Sequence, residues 1–453
     1  MILSILPIFL MGVTHAQDAG KVKPYDPSTY YVSFAEPEEL GVIGNPLDYA
    51  GMKINMNVRN FELPRGYEGR YKYACRFPII DYVSNNPLYM KQWTEDNAER
   101  IAKEHTDGGI LAVNYGLELL RGYNETESWK KRIISNGYKP ENLPLSIDEF
   151  KQKIKDSNFT DKYQAILVDL YFRYLNAFVH VQLAKANLTK DDIEFFTANP
   201  AYYVVPDGKR IPEITGNVDT FFNFIEHARR VKFEEIYDAA ICLSDAINQY
   251  VTSTKDFKVE NYYKDVTKAN EIYKIETPGG SICISGFGDD KHSDDALILV
   301  DLGGNDIYTN NAGGALQSAS ILIDHSGNDQ YVNPSRRFIQ GFGFMGVGYL
   351  VDLGGNDKYS ADSFAQGAGI MGVGAIWDRG GDDYYDASGF VQGAGVFGLG
   401  MLLDSSGEDF YNAATLCQGG ATTLGLGILS DLSGDDRYHL WMDTSKDNLG
   451  STG

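Results

Sequence analysis

The sequence predicts an α+β protein: a mainly helical N-terminal domain followed by a parallel, β-helix-like β-solenoid of about six coils. Three observations carry that expectation. The phrase Asp-x-(Gly/Ser)-Gly-(Asn/Asp/Glu)-Asp-x-Tyr recurs from Asp301, Asp324, Asp352, Asp378, Asp404 and Asp431, with starts 23, 28, 26, 26 and 27 residues apart. A period of that size marks a repeat array. Between the phrases small and large apolar residues alternate, as in Gln366-Gly-Ala-Gly-Ile-Met-Gly-Val-Gly-Ala-Ile-Trp-Asp378, and alternation with period two is strand grammar. Upstream, long stretches space their apolar residues by three and four, the helical pattern. A propeller blade would need about four strands in ~40–45 residues, so these shorter units with one Gly/Asp turn each fit solenoid coils.

Residues 1–16, ending Val13-Thr-His-Ala16, read as a secretory signal cleaved before Gln17. Residues 17–90 are rich in Pro, Tyr and Asn without a sustained period, and predict an irregular arm. The helical domain, 91–278, opens on a helix with Thr94 as N-cap and continues with a helix near 110–121. The capping-box pattern Ser146-Ile-Asp-Glu149 then starts a short helix through Phe150. Two longer helices follow, one from Asp161 to near Ala186 and one from near Val218 to Tyr250, with a Pro- and Tyr-rich connector over 197–215 between them. The solenoid, 279–445, begins with strands near Ser281-Ile-Cys-Ile284, and 446–453 read as a flexible tail.

Charge concentrates in the repeats. The chain carries −22, and from Gly279 onward 23 acidic residues stand against 7 basic ones. Such a surface suits cations and excludes nucleic acid as a partner. No later run approaches the ~18 apolar residues of a transmembrane segment. Together with the signal-like start, this predicts a secreted, periplasmic or cell-surface protein. Cys75, Cys242, Cys283 and Cys417 lack C-x-x-C spacing, so buried free thiols are expected, with a Cys75–Cys242 bridge as the alternative. No H-E-x-x-H or E-x-x-H pattern includes His105, His180 or His227, which read as core or surface imidazoles.

Stacking the coils at the ~4.8 Å strand spacing sets equivalent carboxylates in columns. One column holds Asp301, Asp324, Asp352, Asp378, Asp404 and Asp431; the other holds Asp306, Asp329, Asp357, Asp383, Asp409 and Asp436. Two carboxylates at that distance repel by roughly 0.9 kcal/mol in water and ~3.5 kcal/mol at an effective dielectric of 20. Either a cation offsets this, calcium being the hard ion that oxygen ligands suit, or each Asp accepts turn N–H bonds and shapes the bend. The turns Gly303-Gly-Asn-Asp306, Gly354-Gly-Asn-Asp357 and Gly380-Gly-Asp-Asp383 resemble half of the glycine/aspartate calcium loop of the RTX family, G-G-x-G-x-D. That resemblance implies calcium held by these Asp side chains and Gly carbonyls. It covers the turns alone, since RTX repeats are nine residues long and Ser326, Ser406 and Ser433 replace the first Gly here.

Tyr308, Tyr331, Tyr359, Tyr385, Tyr411 and Tyr438 form a further column, read as stacked architecture with a sugar-binding strip as the sharper alternative. Gln340, Gln366, Gln392 and Gln418 predict an amide ladder. The strand glycines Gly346/Gly348, Gly372/Gly374, Gly398/Gly400 and Gly425/Gly427 predict a bare face covered by the helices of 161–250 or by a second copy, a homodimer through the Gly-rich face. The competing expectation is that they point inward and thin the coil. The function expected is a binding or structural module, calcium-stabilised, whose partner is a polysaccharide or another cell-envelope component. The alternative is a polysaccharide lyase or hydrolase on the solenoid flank. There Arg336 and Arg337, in the longer coil Val332-Asn-Pro-Ser-Arg-Arg337, are the candidate catalytic residues holding a uronate carboxylate.

Overall fold

The computed structural model describes residues 87–121, 144–198, 227–228, 230–422 and 424–441. The signal-like start, nearly all of the arm and the tail lie outside them. The described residues from Ile101 onward belong to one compact unit.

Helices α1 (Pro87–Gly108) and α2 (Ala112–Arg121) are joined by a 3-10 turn over Gly109–Leu111. Because α1 starts at Pro87, Thr94 lies inside it and caps nothing; proline, with φ already helical, suits a first helical position. Helix α3 (Ile147–Lys155) carries the capping box as expected: the Ser146 side chain accepts from the Glu149 N–H and Glu149 accepts from the Ser146 N–H. Helix α4 (Asp161–Ala184) is capped by Thr160, which accepts from the Tyr163 N–H. Helix α5 (Lys190–Ala198) was not foreseen, although Thr189 and Asp192 exchange backbone and side-chain bonds at 2.7–3.2 Å as a start signal would. Helix α6 (Phe233–Thr254) begins later than the apolar pattern suggests, and 218–226 lie outside the described residues. A single turn, α7 (Val259–Tyr262), leads into the sheets.

The C-terminal part is a parallel β-solenoid. The first sheet orders Tyr273–Thr277, Gly280–Ile284, Ala296–Asp301, Ala319–Asp324, Val347–Asp352, Val373–Asp378, Leu399–Asp404 and Leu426–Asp431. All neighbours are parallel except the initial hairpin. The second sheet stacks Lys291–His292, Ile307–Tyr308, Gln330–Asn333, Lys358–Ala361, Tyr384–Asp386, Phe410–Ala413 and Arg437–Leu440. A third, 5-stranded sheet of two-residue strands runs from Ala315–Leu316 to Ala421–Thr422, so five coils are complete with three strands each. Registers are strict: Asp324, Asp352, Asp378, Asp404 and Asp431 stand opposite one another along the first sheet.

The strand alternation decides what lies inside. Leu322, Leu350, Ile376, Leu402 and Leu429 cluster with the Tyr column in the solenoid core. Gly348, Gly374, Gly400 and Gly427 share their parity and therefore point inward too. A Cβ on Gly374 would meet the Ala368 carbonyl oxygen at 2.0 Å, so only a residue without a side chain lets the third sheet come this close. The expectation that helices or a second copy cover the Gly face is thus overturned, and with it a homodimer through that face. The helices cover the opposite face. Tyr349 donates to the Ala240 carbonyl of α6 at 3.1 Å, and Tyr174 of α4 donates to the Ala319 carbonyl at 2.8 Å. Cys242 and Cys283 are buried free thiols, Cys417 is a half-buried one, and Cys75 lies outside the described residues.

Candidate functional site

Each Asp turn builds the same carboxyl pair. The first Asp ends a strand of the first sheet, and its Oδ1 accepts the N–H two residues on: Gly303 to Asp301 at 3.1 Å, Ser326 to Asp324, Gly354 to Asp352 and Gly380 to Asp378 at 2.9 Å, Ser406 to Asp404 at 3.2 Å. This is the Asx bend expected. Its Oδ2 accepts a Tyr hydroxyl from the preceding coil: Tyr331 to Asp352 at 2.7 Å, Tyr359 to Asp378 at 2.6 Å, Tyr385 to Asp404 at 2.8 Å and Tyr411 to Asp431 at 3.1 Å, with Tyr308 likewise bonded to Asp324. Both oxygens of Asp324, Asp352, Asp378 and Asp404 are therefore satisfied, although these side chains and Asp301 have no exposed surface; in the last turn Asp431 Oδ1 is buried without a donor.

The second Asp is different. Its Oδ1 accepts the N–H of its counterpart one coil earlier, Asp306 to Asp329, Asp329 to Asp357 and Asp357 to Asp383 all at 2.6 Å, Asp383 to Asp409 at 2.8 Å and Asp409 to Asp436 at 3.1 Å. The other oxygen of Asp306, Asp329, Asp357, Asp383 and Asp409 is buried and has no donor. In several coils it faces the first Asp of its own turn, Asp352 for Asp357 and Asp378 for Asp383. Two acceptors confront each other. Asp301, Asp306 and Asp324 bring one oxygen each within 4.8 Å of one another, as do Asp329, Asp352 and Asp357, and Asp357, Asp378 and Asp383.

Burial, and then the neighbouring carboxylates, hold protons on this ladder. They push Asp306 and Asp409 up to about 7, Asp357 to about 8 and Asp383 to about 11. Burial likewise pushes Asp329 and Asp431 to about 6, and raises Asp324, Asp352, Asp378 and Asp404. A buried acceptor without a donor is unfavourable, so each pair calls for one proton or one cation between its two carboxyls.

The first coil supplies its own control. Ser285-Gly-Phe-Gly-Asp-Asp290-Lys-His292 is a degenerate copy of the repeat, with Ser for the first Asp and His for the Tyr. There the Ser285 hydroxyl donates to Asp290 Oδ2 at 2.5 Å, the atom that is orphaned elsewhere. His292 pairs in register with Tyr308, stacks on it at 4.9 Å between ring centres, and bonds to Asp301 at 2.9 Å. Burial alone would lower its pKa, but Asp301, and Cys283 beside it, pull it up to about 10, which favours the protonated ring at this end of the column. Neither letter matches the repeat, so the motif alone does not single out these two residues. The spacing of Gly288 and Asp290 would have found them.

The six Tyr stack with centres 4.6–4.9 Å apart and planes within 9°. Tyr331, Tyr359, Tyr385 and Tyr411 have no exposed surface, so they are architecture and no sugar reaches them. The expected Gln amide ladder does not form. Each Nε2 donates instead to backbone carbonyls, as Gln340 does to Tyr331 at 2.7 Å and to Ser360 at 3.2 Å, bridging successive coils. Arg336 is paired in a fork with Asp295 at 2.6–2.8 Å, and Arg337 bonds to Asp362 at 2.8 Å. They do not converge on the ladder.

Fold and site define a helix-covered β-solenoid with an internal carboxyl ladder. Comparison with family models, with curated proteins and with solved structures finds no match to this chain.

Proposed function

We infer that the chain is an exported structural or binding module whose solenoid is stabilised by calcium seated along the carboxyl ladder. The observation that carries this reading is the buried Oδ2 of the second Asp in successive coils, which faces a carboxylate and has no donor. The donors at hand there are all oxygens, as a hard cation prefers. The degenerate coil supports it: where Ser285 replaces the acidic partner, a hydroxyl satisfies the oxygen and no cation is needed. A polysaccharide or another cell-envelope component is the partner class that goes with export. Nothing favours the lyase reading, because Arg336 and Arg337 are engaged in ion pairs.

The test is thermal unfolding of the whole chain in calcium, magnesium and chelator at fixed ionic strength. A ligand bound only by the folded state raises the midpoint by mass action. A rise with calcium supports the reading; identical midpoints in all three would leave protons as the only neutralisers.

A further inference from the structure

The covering helices carry a second polar cluster unrelated to the ladder. Helices α4 and α6 run antiparallel, with Tyr163 bonded to Tyr250 at 2.9 Å near one end and His180 Nδ1 to Glu235 at 2.7 Å near the other. His180, Glu235 and Asp238 each bring one ligand-type atom within 4.8 Å of the other two. Glu235 and Asp238 are three residues apart and so share a face of α6. Asn176 stands one turn before His180 on α4. It is only 8% exposed, and its Oδ1 is buried without a hydrogen-bond partner. His180 is 6% exposed and Asp238 1%. Two acidic side chains and an imidazole thus converge between two helices, with an orphaned buried amide oxygen one helical turn from the imidazole.

We propose that His180, Glu235 and Asp238, assisted by Asn176 Oδ1, bind a single divalent ion of the zinc class between α4 and α6. The donor set decides the class. One imidazole nitrogen with carboxylate and amide oxygens suits Zn2+ or a similar first-row ion better than calcium, which takes oxygens alone. Tetrahedral metal bonds of about 2.0–2.2 Å put neighbouring ligand atoms about 3.3–3.6 Å apart, inside the 4.8 Å within which these atoms already lie. Access exists on one side, since the Glu235 side chain is 21% exposed. Cys242, one turn beyond Asp238, is not part of the group whose ligand atoms converge. The pattern escaped sequence inspection because its ligands come from two helices far apart in the chain. Bound there, the ion ties together the two helices that roof the solenoid.

The experiment uses the full chain, stripped with chelator and returned to excess calcium so that the ladder is saturated. Calorimetric titration with Zn2+ alone is expected to show one equivalent bound. His180→Ala and Asp238→Asn should each weaken that binding by at least about tenfold. Circular dichroism checks that the variants fold, and Glu235→Gln, which keeps an acceptor for His180, serves if His180→Ala does not. Co2+ should give visible absorption bands that change in the His180 variant. Absence of Zn2+ binding, or equal affinity in wild type and folded variants, overturns the proposal. Neither result bears on calcium in the ladder.

Discussion

The Tyr331 hydroxyl donates to Asp352 at 2.7 Å across one coil, so each Tyr serves the carboxylate of the turn after its own. The stacked rings and the carboxyl column are one device. Tyr331→Phe keeps the ring stack and removes only this donor. A buried carboxylate oxygen then lacks a partner, which is expected to lower unfolding free energy by about 1–3 kcal/mol. Chemical denaturation of wild type and variant measures it. A change within error would mean that water or an ion already serves Asp352.

The ladder fixes the direction of pH dependence. Its carboxyls titrate higher folded, between about 6 and about 11 where a value is set, than the ~3.9 of a free Asp. Between those values the folded state binds more protons than the unfolded one, so stability falls as pH rises. In chelator, the unfolding midpoint should be highest below about pH 4, as far as these groups decide it, and decline from there through pH 8. Calcium at saturation should flatten that decline. A midpoint that rises from pH 5 to 8 in chelator would show the carboxyls ionised and paired with something else.

Asp357→Asn separates the two neutralisers. The Asn Oδ1 keeps accepting the Asp329 N–H, while its Nδ2 supplies the donor that Asp352 and Asp357 lack between them. In chelator at pH 8 the variant is expected to be more stable than wild type by about 1 kcal/mol. In calcium the advantage should shrink, because one ligand is lost. Equal stability under both conditions would mean that the pair is satisfied by a route independent of its charge.

The inward glycines give the largest expected effect. Gly374→Ala drives a Cβ into the Ala368 carbonyl, and neither strand can yield without breaking the register of its neighbours. Overpacking of this kind reaches or exceeds ~3 kcal/mol. Tyr349→Phe, on the helix-covered face, removes one bond to Ala240 and should lose only about 1 kcal/mol. Comparable losses in the two variants, measured by denaturation, would contradict the assignment of faces.

Period and alternation made the solenoid, its Asp columns and its Tyr stack legible, because each depends on residue identity recurring at a fixed distance. Which strand face pointed inward was not legible. Gly374 and Ala375 are both small, and only the approach of the third sheet shows that Gly374 meets backbone. The long helices were readable from spacing, while the start of α6 at Phe233 was not, since apolar residues continue upstream of it. Thr94 carried a cap letter without being a cap. Ser285 and His292 were invisible as members of the ladder, because a terminal coil substitutes different chemistry for the same two positions.

That substitution at His292 can be tested by its own pH signature. The imidazolium meets the buried Asp301 carboxylate at 2.9 Å, and its pKa stands at about 10 against an ordinary ~6.5. A His raised in the folded state contributes stability that is complete below its unfolded value and is lost as pH rises through its folded one. His292→Phe preserves the ring stacked on Tyr308 but leaves Asp301 without that partner. The variant should therefore be less stable than wild type at pH 6–7, with the gap closing toward pH 10 as wild-type His292 loses its proton. Denaturation at several pH values measures the gap. A gap that stayed constant up to pH 10 would show that packing, and not the charge pair with Asp301, is what His292 provides.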